Sequence, residues 1–174
     1  MISGGCATPP LSKPTVAAHW ALVADVPTKE IVHLSDCYFS KIWPWEEKTE
    51  FAEGVFLMTR EVILLYSGGN SEDILKEREI MHEIRIIEIK RAALLSPVFR
   101  NTQLQLKHED HVFVIELRTN YDSDDRKGSD FVYDYLIRQG VRPFESQRKI
   151  IHDKKKETWQ YFWGSCAAGC ASAL

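Results

Sequence analysis

Between Gly54 and Gly140 apolar runs alternate with polar breaks in a pattern that predicts several strands and one closing helix. GVFLMTREVILLYS sets two β-rich runs, Val55–Met58 and Val62–Tyr66, on either side of the polar Thr59-Arg60-Glu61, which predicts a hairpin. SGGNSED then breaks the chain, and the charged DILKEREIM reads as a solvated segment, either a short helical turn or an extended edge. In HEIRIIEIK, Ile84 and Ile86 alternate with Arg85, then Ile87 and Ile89 with Glu88. The two-residue phase slips once between Ile86 and Ile87, as in a β-bulge or a strand bending between faces.

Pro97, in SPVFRN, ends that unit. TQLQLKHED and HVFVIELRT predict a second hairpin. Leu104 and Leu106 share one face, with Gln103 and Gln105 opposite, and Phe113, Ile115 and Leu117 continue the apolar face. Upstream, EIVHLSDCYFSKI suits a strand, and Pro44 within WPWEEKTEFAE breaks it into a loop or edge carrying Trp43 and Trp45. Downstream, Ser129 or Asp130 is placed to cap a helix whose Phe131, Val132, Tyr135 and Leu136 share a face, and Gly140 to end it. Such a helix must cover something, and the open end of the sheet is available.

The fold class expected is α+β, mainly β. It is a bent antiparallel sheet, or partly open barrel, of about seven strands with one C-terminal capping helix and an added tail. Three parts are expected: a flexible or loosely docked arm over residues 1–28, the domain over 29–140, and a basic-aromatic tail over 141–174. The arm holds Pro9, Pro10, Pro14 and Pro27 and little periodic pattern. At 174 residues such a chain buries a core without staples.

A net charge of −3 argues against a general nucleic-acid binder, although local basic patches survive such a sum. The four cysteines, Cys6, Cys37, Cys166 and Cys170, contain no C-x2-C pair. With no signal peptide or apolar run of spanning length evident, a cytoplasmic protein with reduced thiols is expected. Neither a GxSxG, an HExxH nor a phosphate-cradling glycine loop occurs, and His108-Glu109-Asp110-His111 reads as a polar hairpin turn before it reads as a metal cluster. No enzyme activity, cofactor or metal is expected.

GVFLMTREVILLYS resembles the GxLxLTxxxLxFxS hairpin of GRAM domains, a subclass of the pleckstrin-homology-like superfamily. MHEIRIIEI is similar to the "IPLxDIxxVE" element that follows it there, and the order of TQLQL, HVFVIEL and a helix matches the family's last elements. The resemblance covers roughly residues 30–140. It implies peripheral membrane or adaptor work: a module that recognises anionic lipid headgroups, or one that docks a protein partner. The lipid site of pleckstrin-homology domains is a Lys in the first strand and a basic-x-Arg in the second. Lys41 and Lys48 hold the matching positions, with Thr49 and Glu50 where the Arg would stand. In the closing helix Tyr133 and Tyr135 stand where the family has its Trp.

Around that frame Lys90, Arg91, Arg100 and Lys107 are further headgroup candidates, since phosphate binding needs two or three converging cations. Trp43 and Trp45 suit a membrane interface or a protein hot spot. The tail adds Arg148, Lys149, Lys154, Lys155 and Lys156, then Trp159, Phe162 and Trp163, then Cys166 and Cys170 as acylation candidates. Together these read as a two-signal membrane anchor or as a second packed helix.

Overall fold

The structure, a computed structural model, describes residues 13–46, 48–96, 101–119, 123–145 and 150–152. Its elements follow the apolar pattern. Helix α1 spans Pro14–Val23. Strands β1 (His33–Ile42), β2 (Lys48–Thr49), β3 (Ala52–Met58), β4 (Val62–Ser67) and β5 (Ile80–Arg85) come next. After a 3-10 turn at Ile86–Glu88 come β6 (Ile89–Leu95), β7 (Gln103–His108), β8 (His111–Thr119) and β9 (Ser123–Asp124). Helix α2 (Arg126–Arg138), β10 (Arg142–Pro143) and β11 (Ile151–His152) complete the described chain.

The main sheet runs β10-β6-β7-β8-β1-β3-β4-β5, with β9 beside β8, and β11 pairs with β2. Its seven long strands, β1 and β3 to β8, pair antiparallel, and the sheet curls into a half-barrel with α2 against its concave face. The expected mainly-β bent sheet with a C-terminal helix is therefore the fold. Both predicted hairpins form. The concave side holds the main core: Phe39, Phe56, Ile63, Leu65, Ile84, Leu104, Leu106, Phe113 and Ile115, closed by Val132 and Leu136 of α2.

Four readings change in the folded chain. The arm is not loose from residue 14 onward. Pro14 starts α1, and its Trp20 is fully buried with Leu34, Val55, Leu57 and Tyr66 against the convex face. Trp20 was outside any apolar period in the sequence, so only that convex face revealed its partner. The slip at Ile86–Ile87 is a 3-10 turn that separates two strands and points Ile87 outward, 92% exposed, rather than a bulge within one strand. Helix α2 begins earlier than Ser129. Asp125 caps it by accepting a hydrogen bond from the Gly128 N–H at 2.9 Å. Gly140 ends the segment in the left-handed region, φ 92°, as expected. The start of the tail belongs to the domain: Arg142–Pro143 pair with β6, Ile150 is buried, and Ile151–His152 pair with β2.

A polar clip holds that last segment. The Gln103 side-chain amide donates to the Ile150 carbonyl at 2.9 Å and accepts from the Ile150 N–H at 3.0 Å. It also donates to Glu116 at 2.9 Å, while Asn101 donates to the other oxygen of the same carboxylate. The polar face of the TQLQL strand is thus buried and satisfied rather than open to water.

Candidate functional site

Strand β1 links two unlike ends of the half-barrel. At its start the His33 ring lies 5.9 Å from Phe131 of α2 and 6.0 Å from Phe56, beneath the closing helix. Burial lowers the proton affinity of His33, and the charge of Asp125 opposes this in part. At its other end, away from α2, the sheet opens onto a rim of basic and aromatic side chains.

Phe113 of β8 is the hub of the rim. Lys41 holds its ammonium 5.8 Å from the Phe113 ring centre, and the rings of His82 and His108 lie 5.2 Å and 6.1 Å from it. His82 also meets Phe39 edge-on at 5.8 Å. Partial burial lowers the proton affinity of His82, and the nearby Lys41 charge lowers it further. His108 Nε2 is 3.2 Å from Glu88, so that carboxylate is already engaged.

Beyond β1 the chain turns at Pro44 and sets Trp43 and Trp45 face to face, 5.1 Å apart and within 7° of parallel. His111 lies under Trp43 at 4.1 Å. Glu46 fixes the turn by accepting a hydrogen bond from the Trp43 N–H at 2.7 Å. Trp43 is 41% exposed and Trp45 70%. Aromatic surface of this size usually folds inward, and held in water it marks a contact surface.

On the convex face beside the rim, strand register lines up cations. Arg142 of β10 pairs with Arg91 of β6, Arg91 with Lys107 of β7, and Lys107 with Val112 of β8. Directly paired residues point to the same face, with Cβ atoms about 5 Å apart. Arg91 and Lys107 line a cleft of about 320 Å³, together with Glu46, Gln105 and Glu145. Ile42, Pro44, Val112, Phe144 and Ile150 form its apolar walls. A larger hollow of about 950 Å³, at the turn joining β3 to β4, has charges of both signs and none of the expected residues.

The expected residues therefore divide. Lys41 lies over Phe113 at the end of β1, and Trp43 and Trp45 stack in the turn that follows it. Arg91 and Lys107 meet in the cleft next to it. Lys90 falls at the irregularity between Ile89 and Arg91 and is exposed, apart from both groups. The backbone of Lys48 pairs with Ile151. Arg100 lies outside the described residues, and so do Arg148, Lys149, Lys154, Lys155, Lys156, Trp159, Phe162, Trp163, Cys166 and Cys170. Sequence reasoning did not find Arg142 or His82. Arg142 joins the row only through a parallel pairing, and His82 faces Phe113 only because the sheet curls. Cys37 is a core residue: burial pushes its thiol well up, as does Asp36, which suits a small packing group and not a nucleophile.

No protein-family model and no curated protein matches the chain. Among solved structures it is similar to the C-terminal domain of an unknown protein from Leishmania infantum. That likeness has 15% identity over 71% of this chain and 96% of the other, with a TM-score of 0.41. It is also similar to the hSac2 domain from human phosphoinositide phosphatase Sac2, with 9% identity over 83% and 93% of the two chains and a TM-score of 0.47. Likeness of this degree says nothing about ligands.

Proposed function

We propose that this chain is a pleckstrin-homology-like, GRAM-type module that binds membranes peripherally by recognising anionic lipid headgroups, and that it performs no catalysis. The observation that carries the reading is the exposed, stacked Trp43–Trp45 pair on a rim that also holds Lys41, with Lys107 and Arg91 in the adjoining cleft. Indole rings favour the boundary between headgroups and acyl chains. Each cation near an anionic leaflet adds about 1 kcal/mol. Among the described residues no helix is long and apolar enough to cross a membrane.

The test is sedimentation with neutral and with anionic vesicles, using the whole chain and a version ending at His152. The end point follows from the fold, because ending at Pro143 would remove the buried Ile150 and the β2–β11 pairing. Binding to anionic vesicles that survives truncation and is lost in Trp43→Ala/Trp45→Ala supports the reading. Binding lost on truncation moves the anchor to the tail. No binding by either version sinks the reading.

A second reading has one observation in its favour. Among the described residues β5 pairs with β4 alone, and its Ile80 and Met81 are half exposed. A partner protein could extend the sheet there by strand addition. Such a contact would change little with salt.

A further inference from the structure

The cleft beside the rim has a charge pattern that narrows the class of headgroup. Like charges placed directly opposite each other across strands repel. Arg142, Arg91 and Lys107 nevertheless stand in consecutive register on β10, β6 and β7. Among the described residues the ion pairs are Lys13–Glu72, Arg85–Glu88 and His108–Glu88, and none involves this row. A phosphate seated between Arg91 and Lys107 would relieve the repulsion with charge-assisted hydrogen bonds.

Two carboxylates, Glu46 and Glu145, line the same cleft. They would repel a ligand that carries several phosphates. They would welcome a ligand that carries an ammonium group beside its single phosphate. The apolar walls, Ile42, Val112, Phe144 and Ile150, leave room for only a small group, since about 320 Å³ is at the lower end for ligand clefts. Pro44, next to the two tryptophans, is part of the wall, so a headgroup at the surface Trp43 and Trp45 would enter lies within reach of it.

We infer that this cleft binds the aminophosphate part of a phosphatidylserine-class headgroup, with Arg91 and Lys107 on the phosphate, Arg142 reinforcing them, Glu145 and Glu46 toward the ammonium, and the serine carboxylate turned out of the cleft, away from the two glutamates. The inference rests on the membrane-docking reading above and specifies its ligand.

The test compares vesicles of neutral lipid doped with equal fractions of phosphatidylserine or phosphatidylglycerol. Both dopants carry one net negative charge, and only the first has an ammonium. The whole chain is expected to bind the serine vesicles about tenfold more tightly, a difference on the order of one charge-assisted hydrogen bond. Glu145→Gln is expected to erase that preference, by weakening binding to the serine vesicles relative to the phosphatidylglycerol vesicles. Arg91→Gln/Lys107→Gln is expected to weaken binding to both, with an unchanged circular dichroism spectrum as the check on folding.

Equal binding to the two anionic vesicles overturns the inference and leaves the membrane reading standing. Binding to neither overturns both. Soluble glycerophosphoserine and inorganic phosphate separate the possible sources. Glycerophosphoserine should compete with serine vesicles at millimolar concentration, and inorganic phosphate should compete less. If glycerophosphoserine binds the chain while serine vesicles do not, the ligand is a soluble phosphate and the lipid assignment falls. Equal competition by inorganic phosphate removes the role assigned to Glu145.

Discussion

Single side chains decide the fold at three places. Trp20 is fully buried and edge-on to Tyr66 at 5.0 Å, with Nε1 donating to the Ser71 carbonyl at 2.7 Å and the Arg78 guanidinium 5.4 Å from its ring. Trp20→Ala is expected to cost about 3–5 kcal/mol in urea unfolding, and Trp20→Phe less, by the loss of one buried hydrogen bond. At Gly54 the need is space: an added Cβ would overlap the Phe39 ring and the Tyr66 carbonyl. His33 sets a pH dependence. Its folded affinity for a proton lies below the ordinary value of 6.5, so the unfolded chain takes up the proton more readily. Stability is therefore whole above about pH 6.5 and falls as pH drops toward the depressed folded value. His82 acts in the same direction. Chemical denaturation at pH 7.5 and 5.5 should show lower stability at the acid value, and the difference should shrink in His33→Gln.

Among the elements, the two helices are held by different means. Helix α2 relies on its cap and on Val132 and Leu136 in the core. Asp125→Ala removes the acceptor for Gly128 and is expected to cost about 0.5–2 kcal/mol by thermal or denaturant unfolding. Helix α1 has no side-chain cap and is secured by Trp20 and by Lys13, whose ammonium is 2.6 Å from Glu72. That ion pair is half exposed, so the tryptophan matters far more. The last described segment depends on Gln103. Gln103→Leu would release the Ile150 backbone while leaving Glu116 short of a donor. Hydrogen exchange at the Ile150 amide is expected to quicken far more than exchange in β7 and β8, and equal exchange in both proteins would remove the clip from the account.

For the whole molecule, the two ends of the half-barrel divide the work. The α2 end is closed by apolar packing. The opposite rim gathers aromatics and cations, and the convex face beside it carries the charged cleft. A surface with both kinds of contact should show two-part salt behaviour. Vesicle binding is expected to weaken steeply as salt rises, since screening at 0.1 M already acts within about 10 Å. The part that persists at high salt should vanish in Trp43→Ala/Trp45→Ala. Vesicle binding that ignores salt throughout would remove the cations from the account and leave the tryptophans alone as the anchor.

The amino-acid sequence alone determined the local elements. Continuous β-rich runs on either side of a polar turn marked the first hairpin, two-residue alternation marked the second, the i, i+4 pairing of Val132 and Leu136 marked α2, and Gly140 marked its end. These signals are local, because backbone periodicity and turn chemistry act over a few residues. Lys41, Arg91, Lys107 and the two tryptophans were visible as candidates but not as neighbours. Tertiary structure decided which of them meet, because register places residues about 50 positions apart side by side, as with Arg142 and Arg91. It also decided that residues 14–23 dock, that Gln103 and Glu116 are buried, and that Ile150 closes the convex face. Each of these depends on a surface made by distant strands, and such a surface exists only once the sheet has curled.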